Sequence, residues 1–117
     1  MKSTAEIEEV KKLLKHFYAV EGNERVGFVH TDTIIEVRNA AENPVLGFFI
    51  GPEDVLKHTE EMNAWASWHT HPSQNSNLSG EDHKMFVQWP DLYHFIIGSD
   101  SVKCYKWDSL KKAVLEI

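Results

Sequence analysis

The apolar positions change period several times along the chain, and each change marks an element. From Ser3 to about Val20, Ile7, Val10, Leu13, Leu14 and Phe17 recur at steps of three and four, which predicts an amphipathic helix. Ser3 followed by Glu6 matches a capping box, and acids precede lysines as the helix dipole favours. Glu21-Gly22-Asn23 reads as a turn. From Glu24 to His30 the pattern alternates, Val26, Phe28 and His30 against Arg25, Gly27 and Val29, which predicts a strand opened by Glu24. Thr31-Asp32 predicts a hairpin turn into a second strand, about Thr33 to Arg38. Asn39 to Pro44 is loop-like in composition, and Leu46 to Ile50 reads as a third strand.

Gly51-Pro52-Glu53-Asp54 predicts a helix start, with proline tolerated in the first turn, running to about Met62 or Asn63. Ala64 to Thr70 reads as the fourth strand, stopped by Pro72, which cannot donate to a ladder. Ser73 to Leu78 is a polar loop. Ser79 caps a third helix with Met85, Phe86 and Trp89 on its apolar side, broken by Pro90-Asp91. Tyr93 to Gly98 reads as a buried strand, Ser99-Asp100 as a turn and Val102 to Trp107 as its alternating partner. Ala113 to Ile117 reads as an edge strand or an irregular tail. This order predicts an α+β domain over residues 1–117, with a mixed sheet and the fourth strand flanked by helices.

Composition narrows the function classes. The chain has 117 residues, enough for a sizeable core without cross-links. Its net charge of −6 and lack of a basic block argue against nucleic-acid binding, which needs phosphate neutralisation. One cysteine, Cys104, excludes an internal disulfide and any Cys-x-x-Cys metal site, and it reads as a buried apolar residue. No apolar run is long enough for a membrane span, and the charged N-terminal segment lacks a signal peptide's apolar core. A cytoplasmic protein is expected.

The candidate chemistry lies in the run WHTHPSQNSNLSGED. Side chains two apart on a strand point to one side, so His69 and His71 can share an ion at the strand's end. Asp82 brings a carboxylate on the first turn of the next helix. Two imidazoles and a carboxylate leave the fourth position of a tetrahedral zinc site open, as a catalytic centre requires. Taken alone, Ser79 and Asp82 are also a capping box that needs no metal. The remaining histidines read as exposed or hydrogen-bonded side chains, with His30 a candidate to approach the site if its strand lies beside the fourth. Trp65 and Trp68 read as core residues on opposite faces. Thr70 is expected to face away from the metal.

Glu24, then His69-Thr70-His71-Pro72, six residues, and Ser79-Gly80-Glu81-Asp82 resembles the Glu … His-x-His-Pro-x6-Ser-x-x-Asp signature of the JAMM (MPN+) metalloproteases. The surroundings resemble that family over roughly residues 5–107: Glu24-Arg25-Val26-Gly27-Phe28 is similar to its glutamate-bearing strand, and Asn39 and Pro44 to its second-strand exit. The compact form is most similar to prokaryotic stand-alone and phage tail-assembly members. The resemblance implies a cytidine-deaminase-like three-layer fold and a Zn2+ ion on His69, His71 and Asp82. It assigns Glu24 as general base and Ser79 as oxyanion donor. It implies hydrolysis of a peptide or isopeptide bond in a protein or peptide substrate, such as a ubiquitin-like or phage structural protein. A monomer or homodimer, with neither nucleic-acid nor membrane partners, completes the expectation.

Two other readings compete. An inactive MPN-type scaffold normally lacks metal ligands, whereas all of them stand here. A nucleoside deaminase requires Pro-Cys-x-x-Cys, which one cysteine excludes.

Overall fold

The computed structural model describes residues 2–117. Its element order is α1 (Thr4–Leu14), β1 (Val26–His30), β2 (Thr33–Val37), α2 (Pro52–Leu56), β3 (Ala66–Thr70), α3 (Gly80–Gln88), β4 (Tyr93–Ile97), β5 (Val102–Asp108) and β6 (Ala113–Glu116). The six strands form one sheet in the order β2-β1-β3-β4-β5-β6. Only β3 and β4 pair in parallel, across the connection that contains α3. The fold is α+β with a mixed sheet and three α-helices.

Strand alternation divides the core in two. Ala66 and Trp68 of β3 and Tyr93, Phe95 and Ile97 of β4 face α1, where Ile7, Val10 and Leu14 close the layer. The intervening residues face α2 and α3: Phe86 packs on Ile96 and Tyr105, and Phe28 lies with Val26, Ile50 and Leu92. The chain continues past β3 with His71, so Ser67, His69 and His71 share the α3 side by the same two-residue period.

Several predicted boundaries move. α1 stops at Leu14 and tightens into a 3-10 turn over Lys15–Phe17. That turn lays Phe17 against the Trp68 ring at 4.7 Å and beneath the Arg25 guanidinium at 4.7 Å, contacts that a straight helix to Val20 would forfeit. The second helix is α-helical only to Leu56 and widens into a π turn over Lys57–Glu61. β1 begins at Val26, leaving Glu24 just before the ladder. Ala113–Glu116 pairs with β5 as an edge strand.

The predicted third strand, Leu46 to Ile50, is not a strand. Its backbone is held instead by Asn39, whose Oδ1 accepts from Phe49 N at 3.1 Å and whose Nδ2 donates to Gly47 O at 3.0 Å. The side-chain amide stands in for a neighbouring strand. The apolar run there signals cover for the core and a cleft wall, not a ladder.

Gly27 sits where β1 passes over Trp68. A Cβ at this position would collide with the carbonyl of Ile35 and meet Trp68 Nε1 at 2.7 Å. Gly27→Ala is therefore expected to cost about 1–3 kcal/mol, as overpacked cores do. The urea midpoint is the check, and an unchanged midpoint would contradict the packing described.

Candidate metal centre

β3 ends in the segment that carries the candidate ligands, and β1 delivers Glu24 beside it. Val26 lies opposite His69 in the antiparallel register. The pairing extends one step: Thr70 N donates to Arg25 O at 2.9 Å, and Arg25 N donates to Thr70 Oγ1 at 2.8 Å. Thr70 thus faces away from the centre, as expected, and fastens the residue next to Glu24. Glu24 itself is pinned by its backbone. Its N–H donates to Pro44 O at 2.7 Å, and its carbonyl accepts from Asn39 Nδ2 at 2.8 Å.

α3 brings the third group. Ser79 and Asp82 form a full capping box: Ser79 Oγ accepts from Asp82 N at 3.1 Å, and Asp82 Oδ2 accepts from Ser79 N at 3.1 Å. The cap aims the Asp82 carboxylate back toward β3. Oδ1 lies 2.9 Å from His69 Nε2, and Oδ2 lies 3.1 Å from His71 Nε2. The two Nε2 atoms are 3.1 Å apart. The cap and the convergence coexist, since one carboxylate serves both.

These spacings suit one small cation. Ligand atoms at roughly 2.0–2.1 Å from a tetrahedral ion lie roughly 3.3 Å from one another. The observed separations fall just inside that. His71 Nδ1 donates to Asn75 O at 2.9 Å, which presents Nε2 to the centre, the outer-shell arrangement typical of metal-ligating histidines. A Glu24 carboxylate oxygen also falls within 4.8 Å of the nearest His69 and His71 nitrogens, so Glu24, His69 and His71 are a second possible ligand set. Asp82 makes the shorter contacts to both rings.

Charge follows from this geometry. His69 is fully buried, and desolvation holds its imidazole below the usual range against the pull of Asp82. His71 opens to the cleft. Burial works against its charged form, but its bonds to Asp82 and Asn75 outweigh that and raise it. Burial also opposes the Asp82 anion, yet the hydrogen bonds from both histidines keep it well below the ordinary carboxylate range. Glu24 lacks such partners: burial pushes it up to about 7, with His71 pulling down and Asp82 pushing up. Two carboxyls beside one histidine pair are therefore driven in opposite directions, an arrangement common at catalytic sites.

The centre lies on a cleft of about 670 Å³ that includes Glu24, His71, Ser79 and Asp82 in its lining. Phe48, Met85 and Trp89 add apolar surface, and the Phe48 ring rests 4.5 Å from that of His69. The Phe48 part of the wall was not legible as such, because its apolar run read as a strand. His30 does not approach the centre: its Nε2 meets His58 Nδ1 at 2.9 Å and its Nδ1 meets Met62 O at 3.1 Å. Trp65 and Trp68 both join the core on the α1 side, so neither lines the cleft, and the expected opposite facing fails because Trp65 precedes the regular strand. Cys104 is buried, with its thiol pushed up to about 12 by desolvation.

His94 was a further residue with no sequence signal. It is fully buried, and desolvation pushes its imidazole down to about 3 from 6.5 against the opposing hydrogen bond to the Trp89 carbonyl, with a smaller push from His69 in the same direction as burial. Between those values the unfolded chain binds a proton that the folded chain does not. Its contribution to stability is thus complete above about 6.5 and is lost as pH falls toward about 3. In metal-free protein, wild type is expected to lose melting temperature more steeply between pH 7 and pH 5 than His94→Gln; parallel slopes would contradict this.

No helix among the described residues is long and apolar enough to cross a membrane. No protein-family model and no curated protein matches the chain. Among solved structures it is similar to the solution structure of protein DSY2949 from Desulfitobacterium hafniense, at 19% identity and a TM-score of 0.65, covering 98% of this chain and 87% of that one. That likeness identifies a shared α+β fold and nothing further.

Proposed function

We propose that this chain is a zinc-dependent hydrolase of peptide or isopeptide bonds, the activity that the JAMM resemblance implies. The observation that carries the reading is the meeting of His69, His71 and Asp82 within 3.1 Å of one another, beside the Glu24 carboxyl in an open cleft. His69, His71 and Asp82 would hold the ion. A divalent ion held there would acidify a water and polarise a carbonyl.

The remaining chemistry belongs to the protein. Glu24, raised toward neutrality by burial, takes a proton from water and returns it to the leaving amine. The Ser79 hydroxyl accepts from Asp82 N, which leaves its own proton free to donate to a developing oxyanion. One such donor is worth about 3 kcal/mol. Leu46, Phe48 and Trp89 give the cleft an apolar wall on which the side chains of a peptide can rest.

The test is cleavage of a mixed peptide library read by mass spectrometry, with zinc-loaded, chelator-treated and zinc-restored protein. The expected result is cleavage that chelator abolishes and zinc restores. Cleavage indifferent to chelator would overturn the reading.

A further inference from the structure

Beneath the centre lies a polar group that the chemistry above does not use. His94, on β4, is in register with Ser67 of β3, and its Nδ1 lies 2.7 Å from Ser67 Oγ. Its Nε2 lies 3.1 Å from the carbonyl of Trp89, the residue that ends α3. A carbonyl only accepts, so Nε2 carries the proton, Nδ1 is a lone pair, and the Ser67 hydroxyl donates to it. Both ring nitrogens are satisfied in the neutral form. The ring also stacks on Phe86 at 4.0 Å and 9°, and Phe86 stands 6.3 Å from the His69 ring.

These contacts connect the two elements that supply the ligands. Ser67 is two residues before His69 on the same face of β3, and Phe86 is one turn beyond Asp82 on α3. An apolar side chain would fill this space at a lower desolvation cost. Directional bonds to both sides add what dispersion does not, a single separation of strand and helix.

We propose that His94 is a positioning residue of the metal centre, a buried tether that sets β3 against α3 so that His69, His71 and Asp82 converge on one ion. The proposal rests on the metal-centre reading above. His94 acts here in its neutral form, with Nε2 as donor to Trp89 O and Nδ1 as acceptor from Ser67 Oγ.

The experiment measures Zn2+ affinity by chelator competition and the visible ligand-field bands of Co2+-loaded protein. Wild type, His94→Phe, His94→Gln, Ser67→Ala and Asp82→Ala are compared, with the metal-free melting temperature of each recorded. His94→Phe keeps the stack and loses both hydrogen bonds. Its Zn2+ affinity is expected to fall severalfold to about tenfold, at or below the low end of the range for partners bonded directly to a ligand, with weakened or shifted Co2+ bands. His94→Gln, which retains a donor for the Trp89 carbonyl, is expected to recover most of the affinity. Ser67→Ala tests the other half of the tether and is expected to bind several-fold more weakly, a result that stands even if His94→Phe fails to fold. A purely structural histidine would lower the metal-free melting temperature and leave affinity and Co2+ bands unchanged in the folded variants; that outcome overturns the proposal. Failure of wild type to bind one ion, or equal binding by Asp82→Ala, would instead sink the metal-centre reading itself.

Discussion

Cleavage by Glu24→Gln is expected to fall roughly 10²- to 10⁴-fold, the range a general base contributes, while bound metal stays at the wild-type level. The substitution keeps the side chain's size and leaves the backbone bonds to Pro44 and Asn39 in place, so position is preserved and only proton acceptance is lost. The same role gives a pH signature. A base must be unprotonated, so kcat/KM should climb with pH on an acidic limb that the variant lacks. Burial sets the bare carboxyl at about 7, and an adjacent cation favours the anion, so the limb of the loaded protein should lie lower. Parallel measurement of kcat/KM and metal content separates the roles. Loss of both would make Glu24 a ligand, the alternative that its spacing to His69 and His71 allows.

Asp82→Ala is expected to abolish specific metal binding and to destabilise the metal-free fold. Three interactions go together: the bonds to His69 and His71 and the cap on Ser79 N. The lost bond to Ser79 N costs about 1 kcal/mol, since Ser79 still caps the helix, and buried imidazoles left without a partner add about 1–3 kcal/mol. Ligand linkage supplies the sharper readout. Wild type should gain about 2.7 kcal/mol at zinc a hundredfold above Kd, and the variant should gain nothing. Urea denaturation with and without zinc measures both effects. Equal stabilisation of the two proteins would remove Asp82 from the centre.

The candidate ligands were legible in part from local periods, while the roles of Glu24 and Ser79 came only through the JAMM resemblance. The strand repeat put His69 and His71 on one side, and Ser79 marked the helix start that presents Asp82. The placement of Glu24 beside them depends on β1 pairing with β3, a long-range register that no window of sequence contains. Long, strongly patterned elements were also legible, including the alternating strands Val26–His30 and Val102–Asp108. What failed was decided by tertiary contacts. Leu46 to Ile50 carries the apolar content of a strand, but Asn39 supplies its hydrogen bonds, and no pattern in the run announces that. α1 stops early because Phe17 has Trp68 and Arg25 to meet, partners distant in sequence. His94 looked like any histidine in a strand until its neighbours were Ser67, Phe86 and Trp89.

The most direct measurement is a crystal structure of protein grown with zinc, with anomalous data collected on both sides of the zinc absorption edge. The account predicts one anomalous peak per chain, bonded to Nε2 of His69, Nε2 of His71 and a carboxylate oxygen of Asp82, with the Glu24 carboxylate nearby but uncoordinated. An ion ligated by Glu24 in place of Asp82, or zinc found only elsewhere on the chain, would contradict it.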